Sequence, residues 1–207
     1  LKGRYFITGT DTEVGKTWVS CALLKQAASA GKSCYGLKPV AAGCDETSDG
    51  RRNEDARVLM QASTLVLPYH QVNPITLKDP MAPHLAAQAE QRRISADRLA
   101  GQLRGTLHQH PADLVLVEGA GGWRVPFNER ESWRDLVREL DLPVILVVGM
   151  KLGCINHALL SAESIRHDGM TLAGWVPNDL GCPMPRLAEN IATLDAWLPA
   201  PRIVLDA

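Results

Sequence analysis

Residues 5–17 read Tyr5-Phe6-Ile7-Thr8-Gly9-Thr10-Asp11-Thr12-Glu13-Val14-Gly15-Lys16-Thr17, an apolar run that breaks into a glycine-bounded loop ending Gly-Lys-Thr. A strand, such a loop and then a helix leave a row of backbone N–H groups unpaired. The first helical turn adds its own free donors and the positive end of its dipole. Polyphosphate suits that hollow. Lys16 would reach the β- and γ-phosphates, and the Thr17 hydroxyl would take a position on Mg²⁺. The spacing departs from the usual Gly-x-x-x-x-Gly-Lys-Ser/Thr, because five residues separate Gly9 from Gly15. Either Thr10 stands where the first glycine would, or the loop is one residue longer. The competing reading is a glycine turn with a chance Lys-Thr. It must also account for the strand before it and the helix-like Trp18-Val19-Ser20-Cys21-Ala22-Leu23-Leu24 after it.

A loop of this kind needs a sheet behind it, and 207 residues suit one α/β domain spanning 1–207. With 45% hydrophobic and 22% charged residues the chain is globular in composition, and a net charge of −1 offers no field for nucleic acid or an anionic membrane. The pairs Arg51-Arg52 and Arg92-Arg93 read as solvated faces. The five cysteines form no Cys-x-x-Cys pair and no His-rich zinc spacing, which points to a reducing compartment. No stretch approaches about 20 uninterrupted apolar residues, and no charged-then-apolar leader opens the chain. A cytoplasmic location is expected.

Strand and helix patterns alternate along the chain, predicting a doubly wound, mostly parallel sheet flanked by helices. After a helix over 15–30, Cys34 to Val40 reads as a strand presenting Lys38 near its end, on local grounds a polar edge. Residues 42–54 read as loop, and Asp55 as a first-turn or cap aspartate of the next helix. Four prolines between Pro68 and Pro83 predict an irregular excursion with a short strand near Val72. Helices follow over 85–91 and 96–108, the second capped by Ser95. Asp113-Leu114-Val115-Leu116-Val117-Glu118-Gly119-Ala120-Gly121-Gly122-Trp123 is the second informative stretch. Its apolar run matches a strand buried on both faces, and a carboxylate directly after it needs a cation. In a nucleotide fold that cation is Mg²⁺, making Glu118 a Walker B type acid. A helix over 132–140, a strand over 143–149, a loop over 151–157 entering a helix, a strand at Leu172 to Val176 and a helix over 187–198 complete the pattern. Residues 202–205 would begin a last strand. Asn178, at a strand end, can donate and accept as an adenine edge requires.

This constellation resembles the dethiobiotin synthetases, P-loop ligases of biotin biosynthesis, over nearly the whole chain. The resemblance is carried by residues 8–17, by Lys38-Pro39-Val40-Ala41, by Arg52-Asn53 with Asp55, by Val115 to Trp123, and by Lys151 to His157 with Gly174-Trp175-Val176. It decides the loop question in favour of the longer loop and reverses the local readings of Lys38 and Asp55. It implies ATP-dependent ring closure of 7,8-diaminononanoate with CO2 through a carbamate and its mixed anhydride with phosphate. By the same resemblance, Lys16 and Lys38 would stabilise the transferring charge, and Thr12 and Glu13 would face the diamine. Thr17, Asp55 and Glu118 would hold Mg²⁺. Val14, Gly15 and Trp18 would contact the nucleotide, Gly119, Ala120 and Gly121 would lie beside nucleotide or substrate, and Asn178 with Asp179 would meet adenine. The family is dimeric, and Gly153, Cys154 and Asn156 would hold the substrate carboxylate near the two-fold. Three departures stand out. Ala42 occupies the position of a substrate-bonding serine, Asn190 that of an aromatic residue, and Pro199 to Ala207 replaces a loop that closes over adenine. A nucleotide-binding paralogue or truncated form with little turnover is the alternative. A partition-type ATPase is a further one, disfavoured by Asp11 where such loops carry lysine.

Overall fold

The computed structural model describes residues 1–181 and 184–206. Five strands form the central sheet: β1 (Gly3–Gly9), β2 (Cys34–Leu37), β7 (Leu114–Gly122), β8 (Val144–Met150) and β9 (Leu172–Asp179). Short pieces lie between β2 and β7: β3 (Val40–Ala41), β4 (Asp45–Thr47), β5 (Gly50–Arg52) and β6 (Ile75–Thr76). The helices are α1 (Lys16–Ser29), α2 (Glu54–Ala62), α3 (Tyr69–Val72), α4 (Pro83–Ala89), α5 (Ala96–Gln109), α6 (Trp133–Leu140), α7 (Cys154–His167) and α8 (Leu187–Trp197). The sheet order is β2-β7-β1-β8-β9, with every pair parallel. The chain winds to one side of β1 and then to the other, which opens a crevice at the carboxyl end of the central strand. The phosphate loop sits there.

Alternation along the strands divides the core between two faces. Phe6, Val115, Val117 and Leu146 pack with Leu99 and Leu103 of α5, Trp133 of α6 and Ala158 and Ile165 of α7. Their neighbours Ile7, Leu114, Leu116 and Ile145 pack on the other face with Val19, Leu23 and Leu24 of α1 and Leu59 of α2. Both faces are covered, so the strands read as continuous apolar runs rather than alternating ones.

Several expected boundaries move. The strand read through Val40 stops at Leu37, because Pro39 has no N–H to give the ladder and the Lys38 N–H donates to the Val72 carbonyl instead, at 2.9 Å. Val40 and Ala41 then pair with Ile75 and Thr76. The loop expected over 42–54 contains an antiparallel ribbon, β4 with β5. Val72 ends a short helix, not a strand. Strand β7 runs past Glu118 to Gly122, so the carboxylate lies within the sheet rather than after it. Ser95 is the N-cap residue of α5 but makes no side-chain cap bond. The last expected strand is a single parallel bridge of Arg202 to Trp175. Cys21, Cys34, Cys44 and Cys154 are buried free thiols; Cys182 and Ala207 lie outside the described residues. Among the described residues no helix is long and apolar enough to cross a membrane.

Candidate active site

The loop after β1 is anchored from below. Val14 is 1% exposed and packs against Gly9 and Gly149, while its carbonyl accepts from Asn178 Nδ2 at 2.9 Å. Gly15 follows with φ 81°, a left-handed conformation, and a Cβ there would collide with the Asn178 amide. Only glycine meets both conditions. Glu13 also has positive φ, at 57°, and is exposed. Lys16 opens α1 and lies 7% exposed, its Nζ donating to the Asp11 carbonyl at 3.0 Å. Among the described residues no carboxylate pairs with it. Burial, reinforced by the Lys38 charge, pulls its ammonium down to about 8. An anion bound in the hollow would meet an unneutralised cation.

Behind Lys16 is a cluster of buried charge. Glu118 on β7 has no exposed surface. Its Oε1 accepts from Lys38 Nζ at 2.7 Å and from Thr17 Oγ1 at 2.7 Å, and its Oε2 from Ser20 Oγ at 2.8 Å. Lys38 Nζ also donates to Asp55 Oδ2 at 2.8 Å. Burial pulls the Lys38 ammonium down, but the Glu118 and Asp55 carboxylates outweigh it and hold the group above its ordinary value. Asp55 is the mirror case: burial pushes it up, and Lys38 more than reverses that. The bend at Lys38-Pro39 aims this lysine, and Asn73 Nδ2 secures it by donating to the Lys38 carbonyl at 2.6 Å. The N-cap of α2 is Asn53, whose Oδ1 accepts from the Ala56 N–H, so of the two local readings of Asp55 the structure gives the first-turn one and not the cap. Asp55 stands two residues further on and turns its carboxylate to Lys38.

Thr12, Glu13, Gly15, Lys16, Thr17, Lys38, Ala42, Asp55, Ala120 and Gly121 line one cavity of about 720 Å³. Val125 and the segment Pro80–Pro83 give it an apolar wall. Gly119 is buried and does not line the cavity, its carbonyl 3.4 Å from Lys38 Nζ. A second hollow of about 480 Å³ is lined by Trp18, Asn178, Asp179 and residues 202–205. Gly153, Cys154 and Asn156 do not line either hollow. Gly153 and Asn156 are exposed at the start of α7, and Cys154 is buried, its N–H donating to the Lys151 carbonyl at 2.9 Å. Lys151 Nζ lies 3.2 Å from Asp11 Oδ2, tying this turn to the phosphate loop. Asn190 hydrogen-bonds its own helix, at the Arg186 carbonyl. Sequence reasoning missed Ser20 and Asn73. For Ser20 the available signal was its helical spacing from Lys16 and Thr17; for Asn73, inside the proline-rich segment, there was none.

No group of three or more His, Cys, Asp or Glu side chains that could hold a metal occurs among the described residues. Mg²⁺ does not need one, since it keeps water and substrate phosphates and takes only one or two protein carboxylates. The donor set fits it: the Asp55 and Glu118 carboxylates already share the positive charge of Lys38, and the Thr17 hydroxyl donates to the same Glu118 oxygen.

The parallel sheet, the phosphate loop at its central strand and the buried carboxylate on the adjoining strand define a P-loop nucleotide-binding α/β protein. Chloroplast FtsY from Physcomitrella patens superposes with a TM-score of 0.59 at 18% identity, covering 98% of this chain and 57% of that one. A ParA family ATPase from Chlorobium tepidum gives 0.57 at 13% identity, covering 100% and 86%. At these identities the likeness is one of fold. A family model described as an AAA domain matches residues 3–203. The ATP-dependent dethiobiotin synthetase BioD of Cellvibrio japonicus is 58% identical over 200 residues, covering 97% of this chain and 87% of its own. BioD 1 of Escherichia coli K12 is 52% identical over 201 residues, covering 97% and 88%. The chain belongs to the dethiobiotin synthetase family.

Proposed function

We propose that this protein closes the ureido ring of dethiobiotin from 7,8-diaminononanoate, CO2 and ATP, releasing ADP and phosphate. The observation that carries the reading is the convergence of Lys16, Lys38, Thr17 and Asp55 on one cavity, with Glu118 behind them, in a chain so similar to named synthetases. One amine adds to CO2 and loses a proton, giving a carbamate. A carbamate oxygen attacks the γ-phosphorus as the bond to ADP breaks, and the second amine then attacks the carbamate carbon and expels phosphate. Transfer of this kind needs alignment and charge neutralisation more than covalent help.

Position in the cavity supports a division of labour. The loop amides and Lys16 bind the β- and γ-phosphates, and Lys38 meets the charge shared by carbamate and phosphoryl group. Thr17, Asp55 and Glu118 would hold Mg²⁺, which neutralises the phosphate oxygens when bound. Thr12 and Glu13 face the diamine in the cavity that Ala42, Ala120 and Gly121 also line. The hollow at Trp18, Asn178 and Asp179 takes adenine. Gly153, Cys154 and Asn156 lie beyond the cavity, which fits contact with the substrate carboxylate at the two-fold of a homodimer. The test is incubation with ATP, the diamine and ¹³C-bicarbonate, with the product read by mass. Dethiobiotin carrying one ¹³C is expected, and its absence from a folded, nucleotide-binding sample would contradict the assignment.

A further inference from the structure

Ser20 lies one turn into α1, three residues after Thr17 and four after Lys16, so helical geometry places the three polar side chains on one face. It is fully buried, where a hydroxyl without a partner is costly. Two acceptors are in reach: Glu118 Oε2 at 2.8 Å and the Lys16 carbonyl at 2.9 Å. A hydroxyl has one proton to give. Bonding back to the carbonyl four residues earlier is a common habit of serine within a helix. Here the alternative is worse, because Oε2 has no other partner among the described residues, while Oε1 already receives Lys38 and Thr17. Leaving one oxygen of a buried carboxylate unpaired costs more than leaving a helix carbonyl with its ladder bond alone. The proton therefore goes to Oε2.

We propose that Ser20 is a positioning residue for the metal side of the site. Its hydroxyl pins Oε2 of Glu118 against α1 and so turns Oε1 toward Thr17 and Lys38, which line the cavity. The inference rests on the reading of Glu118 as a metal-holding carboxylate. Lys16 and the loop amides are untouched by the change, so phosphate binding without metal is independent of Ser20.

The test compares wild type, Ser20→Ala and Glu118→Gln by Mn²⁺ titration, followed by electron paramagnetic resonance, with the β,γ-imido analogue of ATP present. Affinity for the same analogue is measured in EDTA. Loss of a hydrogen bond to a charged group predicts about tenfold weaker Mn²⁺ binding in Ser20→Ala, with analogue affinity in EDTA unchanged. Glu118→Gln is expected to weaken Mn²⁺ at least as much. Wild-type Mn²⁺ affinity in Ser20→Ala, with Glu118→Gln weakened, overturns the role of Ser20 and leaves the metal reading standing. Wild-type affinity in Glu118→Gln overturns both. If Ser20→Ala does not fold, Ser20→Cys is read in its place. Its thiol is a weak donor, so severalfold weaker Mn²⁺ binding is expected and unchanged binding overturns the proposal.

Discussion

Lys38 holds its ammonium between Asp55 and Glu118 with 4% of the residue exposed, so under the proposed function its removal acts on chemistry and stability together. Lys38→Ala is expected to lower turnover by ~10²–10³, the usual loss when a preorganised charge partner is deleted. MgATP should still bind through Lys16 and the loop amides in equilibrium dialysis. The melting temperature should also fall, because Glu118 keeps its buried charge without its cation. Near-normal turnover would remove Lys38 from the mechanism. Ala42 makes the opposite case. It lines the cavity at the position where the resemblance implies a substrate-bonding serine, and Ala42→Ser is expected to lower the KM for the diamine by up to about tenfold while leaving the KM for ATP alone. Equal lowering of both would point to a general repacking. At this scale much of the candidate site was legible. Gly15, Lys16 and Thr17 follow from loop chemistry, and Glu118 from the cost of a carboxylate at a buried strand. Asp55 was not legible locally, since an acid near a helix start is adequately explained by the helix dipole. The resemblance implied its place in the site, and the fold brings its carboxylate to Lys38 Nζ at 2.8 Å.

Elements, rather than single residues, decide where the walls of the cavity stand. The β4–β5 ribbon is tied to the end of α4 through Arg51, which donates to Glu46 at 2.7 Å and to both oxygens of Glu90 at 2.7 Å. Glu90 is drawn down to about 2 by the Lys78 backbone N–H first, then by Arg51 and Arg92. Its folded value lies below the ordinary 4.5, so its stabilising contribution is present above that value and is lost as pH falls through about 2. Glu90→Gln should therefore melt about 2–4 °C lower than wild type near neutral pH, the shift that roughly 1 kcal/mol makes in a domain of this size. The gap should narrow as calorimetry is taken below pH 4.5 and close as it passes about 2. A gap independent of pH would mean that the amide disturbs packing rather than charge. The ribbon escaped the sequence reading because Asp45 to Arg52 is polar on both faces, leaving no alternation to detect. The end of β2 was misplaced for a related reason: Val40 and Ala41 are apolar enough to extend a strand, and the turn away is made by Pro39 and a backbone bond to Val72 that no local pattern announces.

For the molecule as a whole, the alternation of strands and helices gave the doubly wound parallel class directly, because a βαβ crossover leaves few other arrangements. What it could not give was how α7 meets its surroundings. Leu152 and Leu160 are 98% and 56% exposed, beside Gly153 and Asn156. If the proposed homodimer forms across this face, wild type sediments as a dimer. Leu152→Asp with Leu160→Asp sediments as a monomer with a raised KM for the diamine and an unchanged affinity for ATP. A wild-type monomer that turns over normally would remove the two-fold from the account.

The claim on which the rest depends is that phosphoryl transfer from ATP is directed to a carbamate formed on a diamine. Its most direct measurement is ADP release by the purified protein with 7,8-diaminononanoate and bicarbonate each present or withheld. The account predicts release only when both are supplied, a double dependence that neither a nucleotide-binding paralogue nor a partition-type ATPase shows. ADP release that proceeds unchanged without either one, or none at all with both, would contradict it.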